Sequence, residues 1–126
     1  MPIKSYELTT GRKADFRIRY RYFTPEEGGR LNLPFQHIRN DFWYEHPDHR
    51  PNQIFMIVPE FLDENGNIIQ EGMILREGIA NMWIVNPEMF SYHKERIKVG
   101  QKGYFHEGPR KTADCEIIEI IGLKEL

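Results

Sequence analysis

Arg17, Arg19 and Arg21 alternate with Phe16, Ile18, Tyr20 and Tyr22, the densest run of potential binding chemistry in the chain. On one face of a strand these arginines form a basic stripe that can follow phosphates or meet an acidic partner. The alternative is a solvated strand face whose arginine stems cover apolar neighbours. Lys4, Arg12, Lys13 and Arg30 add to the stripe, so the first thirty residues hold seven basic against four acidic side chains. The segment Glu60 to Glu77 is the opposite, with five acidic residues against Arg76 alone. It would repel nucleic acid, which places any RNA contact elsewhere on the surface.

Other residue types suggest chemistry and then fall short of it. His46, Asp48 and His49 (HPDH) carry metal-ligand side chains, but no second His or Cys pair stands at ligand spacing, so a surface loop is expected and no metal. Cys115 is the single cysteine and has no histidine in a local signature that would activate it; a small buried residue is expected. Glu26 and Glu27 are adjacent on a loop, and neighbouring carboxylates there rarely converge on one substrate. Trp43, Trp83, Phe42, Tyr44, Tyr104 and Phe105 offer either a base-stacking platform or core and cross-strand pairs. His37, His93 and His106 are scattered, with His106 expected at the surface. No nucleophile–base or metal constellation emerges, so neither an enzyme nor a cofactor is expected.

The elements that must position these residues have a period of two. Phe16 to Tyr22 is a half-buried strand, and Thr24 to Arg30 (TPEEGGR) is a loop in which Gly28 or Gly29 takes positive φ. Ile38 to His46 is read as a second strand, and His46 to Asn52 as a loop. Gln53 to Leu62 is an apolar run that Pro59 marks as a bulge or an edge. The Asn-Gly pair at 65–66 signals a hairpin, with Ile68 and Ile69 beginning the return strand. Ile79 to Val85, Arg96 to Glu107 and Glu116 to Leu123 complete the set, the last two separated by a turn at Gly108, Pro109 and Arg110. Pro87 to Arg96 has room for one or two helical turns. With 126 residues, 40% hydrophobic and 29% charged, and a net charge of -2, the chain has the size and composition of one globular domain. Its expected division is 1–13 as an N-terminal tail or short strand and 14–126 as a single barrel. The expectation is an all-β protein, a small closed antiparallel barrel of six to seven strands.

Two segments carry a family resemblance. YFTPEEGGRLNLPFQHIRNDFWY (22–44) looks like the opening of the third domain of elongation factor Tu. VGQKGYFHEGPRKTADCEIIEII (99–121) is similar to its closing strands, where a Glu-Gly-x-Arg turn precedes the last strand. Met73 to Pro87 sits where that family has its middle strands. The resemblance implies a six-stranded antiparallel barrel that contacts the T-stem of aminoacyl-tRNA and packs on protein neighbours. Matched by position, its RNA contacts fall on Arg39, Glu107 and Gly108, with Arg110 completing the turn. The chain departs from the family pattern with Pro109 in place of a glycine, and with Lys111 to Cys115 where the family is glycine-rich. It contains no GxxxxGK[ST] phosphate loop.

The function expected is therefore a non-catalytic, monomeric, cytoplasmic binding module that holds a protein partner. An RNA-binding module using Arg39, Glu107, Gly108, Arg110 and the stripe Arg17, Arg19 and Arg21 is the alternative. No nucleotide or membrane partner is expected: no run approaches the ~20 apolar residues of a membrane span.

Overall fold

The computed structural model describes residues 3–126. Six antiparallel strands form one curled sheet in the order β2-β5-β6-β1-β4-β3. They are β1 (Phe16–Tyr22), β2 (Asp41–Tyr44), β3 (Ile57–Phe61), β4 (Glu77–Ile84), β5 (Lys102–Glu107) and β6 (Arg110–Ile120). Two short helices accompany them, α1 (Tyr6–Thr10) and α2 (Phe90–Arg96), the latter preceded by a 3-10 turn over Pro87–Met89. No helix among the described residues is long and apolar enough to cross a membrane.

The alternation in β1 decides the inside of the sheet. Phe16, Ile18, Tyr20 and Tyr22 are buried and the arginines between them face out. Phe42, Tyr44, Phe61 and Phe105 join them in a core filled mainly by aromatic rings. Its tyrosines satisfy their hydroxyls: Tyr20 donates to the Leu75 carbonyl (2.9 Å), and Tyr22 accepts from Asn40 Nδ2 (2.7 Å). Burial pushes both hydroxyl pKa values up. Cys115 is buried among these residues, as its isolation in the sequence suggested. Gly103 allows β5 to approach β2, because a Cβ there would lie 2.4 Å from the Trp43 carbonyl oxygen.

The expected closed barrel is corrected to a half-barrel, and the expected six or seven strands number six. The two edge strands are joined at one point, where Phe42 of β2 and Phe55, just before β3, exchange both backbone hydrogen bonds, each 2.9 Å. In an uninterrupted ladder from that pair, Gln36 would stand opposite Phe61. The backbone instead turns through His37 in the left-handed region (φ 65), which ends any extended run and delays β2 until Asp41. The Gln36 side chain substitutes for the missing strand: its Oε1 accepts from Phe61 N–H, and its Nε2 donates to the carbonyls of Phe61 (2.7 Å) and Ile69 (3.1 Å). The β3 edge is thereby covered without a strand partner. Pro59 indeed lies in an edge strand.

Other expectations shift in detail. Residues 6–10, expected in a tail or short strand, form α1 instead, with Ser5 capping its first turn and Gly11 (φ 74) ending it. Met1 and Pro2 lie outside the described residues. Ile68 forms only an isolated bridge to Leu62 rather than beginning a return strand. β5 starts at Lys102, after α2 ends at Arg96 and the chain turns at Gly100 (φ 97), and β6 starts directly after the next turn, at Arg110. Within TPEEGGR, Pro25–Glu27 make a 3-10 turn closed by a reciprocal Thr24–Glu27 capping box, and Gly28 takes the expected positive φ, 92°.

Candidate functional site

The outward residues of four adjacent strands, β5, β6, β1 and β4, line an open groove of about 700 Å³. Strand pairing determines which residues meet there. Arg19 stands opposite Glu116 and Arg21 opposite Asp114 across β1–β6, while Lys102 stands opposite Glu116 and Tyr104 opposite Asp114 across β5–β6. Glu77 and Ile79 complete the β4 side.

Ion pairs knit this surface together. Lys102 Nζ lies 3.0 Å from Glu116 Oε1, and Arg19 Nη1 lies 3.8 Å from the same oxygen. Lys102 first, and Arg19 less, hold the Glu116 carboxyl below its ordinary pKa. Arg21 reaches Glu27 at 2.9 Å and Asp114 at 3.3 Å. The Arg21 hydrogen bonds, with the Thr24 N–H, bring the Glu27 carboxyl down to about 2. Charges lining the groove balance, with Arg19, Arg21 and Lys102 against Glu77, Asp114 and Glu116. Beside it an aromatic ledge stands on the outer face. Trp43 stacks on Tyr104 (5.7 Å between ring centres, 26°), and Lys111 Nζ sits 4.0 Å from the Tyr104 ring centre.

The residues singled out in the sequence are distributed over several places. Arg19 and Arg21 lie in the groove. Arg17 shares their strand and binds Asn81 Oδ1 (2.8 Å) and Glu119 (3.2 Å). The stripe is therefore real, but each of its three arginines is paired with a carboxylate. Glu107, Gly108 and Arg110 lie on the β5–β6 turn, where Gly108 (φ 61) supplies the conformation a two-residue hairpin loop needs. Glu107 is held there by Arg30 (2.6 Å) and approached by Arg110 (3.8 Å). Arg39 is exposed in the loop before β2, close enough to Tyr6 for its charge to act on that hydroxyl. His106, expected at the surface, is instead buried. Its Nδ1 meets the Gly108 carbonyl at 3.3 Å, its Nε2 has no partner, and burial lowers its pKa.

Of the six aromatic residues proposed for a platform, Phe42, Tyr44 and Phe105 belong to the core and Trp83 is buried beneath α1. Trp43 and Tyr104 remain on the outer face. The HPDH loop does not assemble a metal site: among the described residues, no group of three His, Cys, Asp or Glu side chains is placed to hold an ion. His49 instead points into an aromatic cluster, its Nδ1–H donating to the Tyr44 carbonyl (2.9 Å) and its Nε2 accepting from Tyr92 Oη (2.9 Å). Asp48 accepts from Arg96 (3.1 Å). Sequence reasoning placed Glu60 only in an acidic segment and His37 only among scattered histidines; it missed that Glu60, 1% exposed on β3, pairs with His37. The outward parity of Glu60 relative to Ile57 and Phe61 gave no hint that α1 would cover it.

No family model matches the chain, and no curated protein matches it either. The geometry by itself defines the class: an antiparallel β half-barrel with a charge-balanced groove on its outer face.

Proposed function

We propose that this protein is a non-catalytic binding module that holds a protein partner in the groove over β5, β6, β1 and β4. The observation that carries the reading is the charge balance of the groove, three cations against three carboxylates. Such a surface offers donors and acceptors of both signs around Tyr104 and Ile79, and tyrosine and arginine are among the residues that dominate protein interfaces. A polyanion gains most of its affinity from net positive charge. Here it would have to displace the carboxylates already bound to Arg19 and Arg21.

RNA binding is the second reading, supported by the stacked Trp43–Tyr104 pair with Lys111 beside it and by the exposed Arg39. It rests, like descent from a translation-factor barrel, on the resemblance to the third domain of elongation factor Tu. The six antiparallel strands are compatible with that descent. The same proposal takes the chain as a cytoplasmic monomer acting without nucleotide or metal.

Titration with bulk tRNA at low and moderate salt, with Arg39→Ala alongside, separates the two readings. Protein binding predicts no saturable complex at either salt concentration. Saturable binding that weakens steeply with salt and with the Arg39→Ala change would replace this proposal with the RNA reading.

A further inference from the structure

On the outer face of β3 and β4, away from the groove, α1 covers a compact arrangement of unusual groups. The Glu60 carboxylate accepts two hydrogen bonds on Oε2, from His37 Nε2 (2.6 Å) and from the Tyr6 backbone N–H (2.9 Å). The Tyr6 ring lies flat against the His37 imidazole, 4.0 Å between centres at 15°, and meets Trp83 edge-on at 5.4 Å. Trp83 is buried with Val58 and Ala14, and its indole N–H has no partner. His37 is the one non-glycine residue among those described with positive φ, a conformation that costs energy and persists only where the surroundings impose it. That cost places the imidazole both on Glu60 and parallel to Tyr6.

The element filling this place is short. α1 spans five residues, buries none of them completely, and leaves Leu8 72% exposed. A helix of that length has no stability of its own, and Gly11 in the left-handed region joins it to the sheet. A strained receptor residue beside a buried carboxylate, under a five-residue strap, suits a site with an exchangeable occupant.

We propose that His37, Glu60 and Trp83 form a binding slot for an aromatic side chain of a partner peptide, which the free protein keeps filled with its own Tyr6. The seat of Tyr6 defines the chemistry of the partner. It must bring an aromatic ring to lie between His37 and Trp83, and a free backbone N–H on the same residue for Glu60, as at the first turn of a helix. An occupant without that N–H would leave a buried carboxylate short of a donor, which is costly. Tethering gives Tyr6 a high effective concentration, so the slot stays shut against weak ligands and opens to a partner that binds more tightly. The slot is separate from the groove, and its test does not depend on the groove reading.

The test uses the full chain with Trp43→Phe, which leaves Trp83 as the single tryptophan. Adding Tyr6→Ala should empty the slot and shift Trp83 emission to the red. A synthetic peptide of residues 3–12 should then bind saturably and reverse the shift. The same peptide with alanine replacing its tyrosine should bind at least about tenfold more weakly, as should the tyrosine peptide to a chain also carrying Glu60→Gln. Equal binding of the two peptides, or binding of neither, overturns the proposal.

If Tyr6→Ala does not fold, hydrogen exchange in the Trp43→Phe chain asks the same question. Millimolar tyrosine peptide should speed exchange of the Tyr6 and Gly11 amides, and the alanine peptide should leave it unchanged. No difference between the peptides overturns the proposal. A concentration-dependent dimer with exchanged straps would also overturn it, since the occupant in trans would then be a second copy of this chain.

Discussion

At the scale of single residues, the side chains that shape this molecule most are those that stand in for missing backbone. Gln36 completes the β3 edge with three hydrogen bonds from one buried amide. Replacing it with leucine strands the Phe61 N–H, while the Phe61 carbonyl keeps the Ile69 N–H (3.2 Å), and a buried unpaired group costs about 1–3 kcal/mol. Gln36→Leu should therefore lower the urea unfolding free energy by about 2 kcal/mol; a loss below about 0.5 kcal/mol would show that water satisfies the edge instead. Gly103→Ala forces a methyl against the Trp43 carbonyl and should cost about 2 kcal/mol in the same measurement, as overpacking does. An unchanged midpoint would mean that β2 yields freely. Neither effect was legible in the sequence. A left-handed glycine at 28 or 29 was, because a glycine pair after two glutamates signals such a position by itself, and Gly28 takes it. Gln36 lies within a polar stretch, and its role appears only when Phe61 is brought beside it.

At the scale of elements, α2 and the loop before β3 are joined by a buried cluster of polar rings. Tyr44 Oη and His93 Nδ1 are 2.7 Å apart, the His93 ring meets Phe55 edge-on, and Arg96 lies 3.8 Å over Tyr92. Burial first, then the neighbouring His49 and Arg96, lower the His93 pKa from 6.5 to about 4. The folded state thus prefers neutral His93, while the unfolded chain takes up a proton near 6.5. Stability from this group is complete above pH 6.5 and is lost as pH falls towards 4. Urea midpoints across that window should fall for the wild type and fall less for His93→Gln, which retains a hydrogen-bonding amide. Equal slopes would assign the acid sensitivity to other groups. The strand β1 was readable from alternation alone, β4 from its apolar run Ile79 to Val85, and the helical turns of Pro87 to Arg96 from their bounds. The shortness of β2 was not, since it depends on the turn at His37.

At the scale of the whole molecule, the sheet curls without closing. The sequence suggested a closed barrel because six short strands with turn residues between them normally close. What interrupts closure is the turn at His37, after which the Gln36 amide takes the strand's place at Phe61. The site was half visible: Arg19 and Arg21 were singled out by their spacing, but their carboxylate partners come from β6 and from Glu27, brought in by register and by a capping box. Local charge in the first thirty residues is basic, whereas the groove in the folded molecule is balanced. That neutrality leads to a global expectation, that association through the groove persists in moderate salt where phosphate-driven binding collapses.

The most direct test of the central claim is a matched capture experiment at moderate salt with nuclease present. It compares the wild-type chain with an Arg19→Glu, Tyr104→Ala variant whose circular dichroism and urea midpoint show that it is folded. Retention of a protein by the wild type and its loss from the variant is the predicted result. Equal retention by both chains, or recovery of RNA alone once nuclease is omitted, would contradict the assignment of the groove as a protein interface.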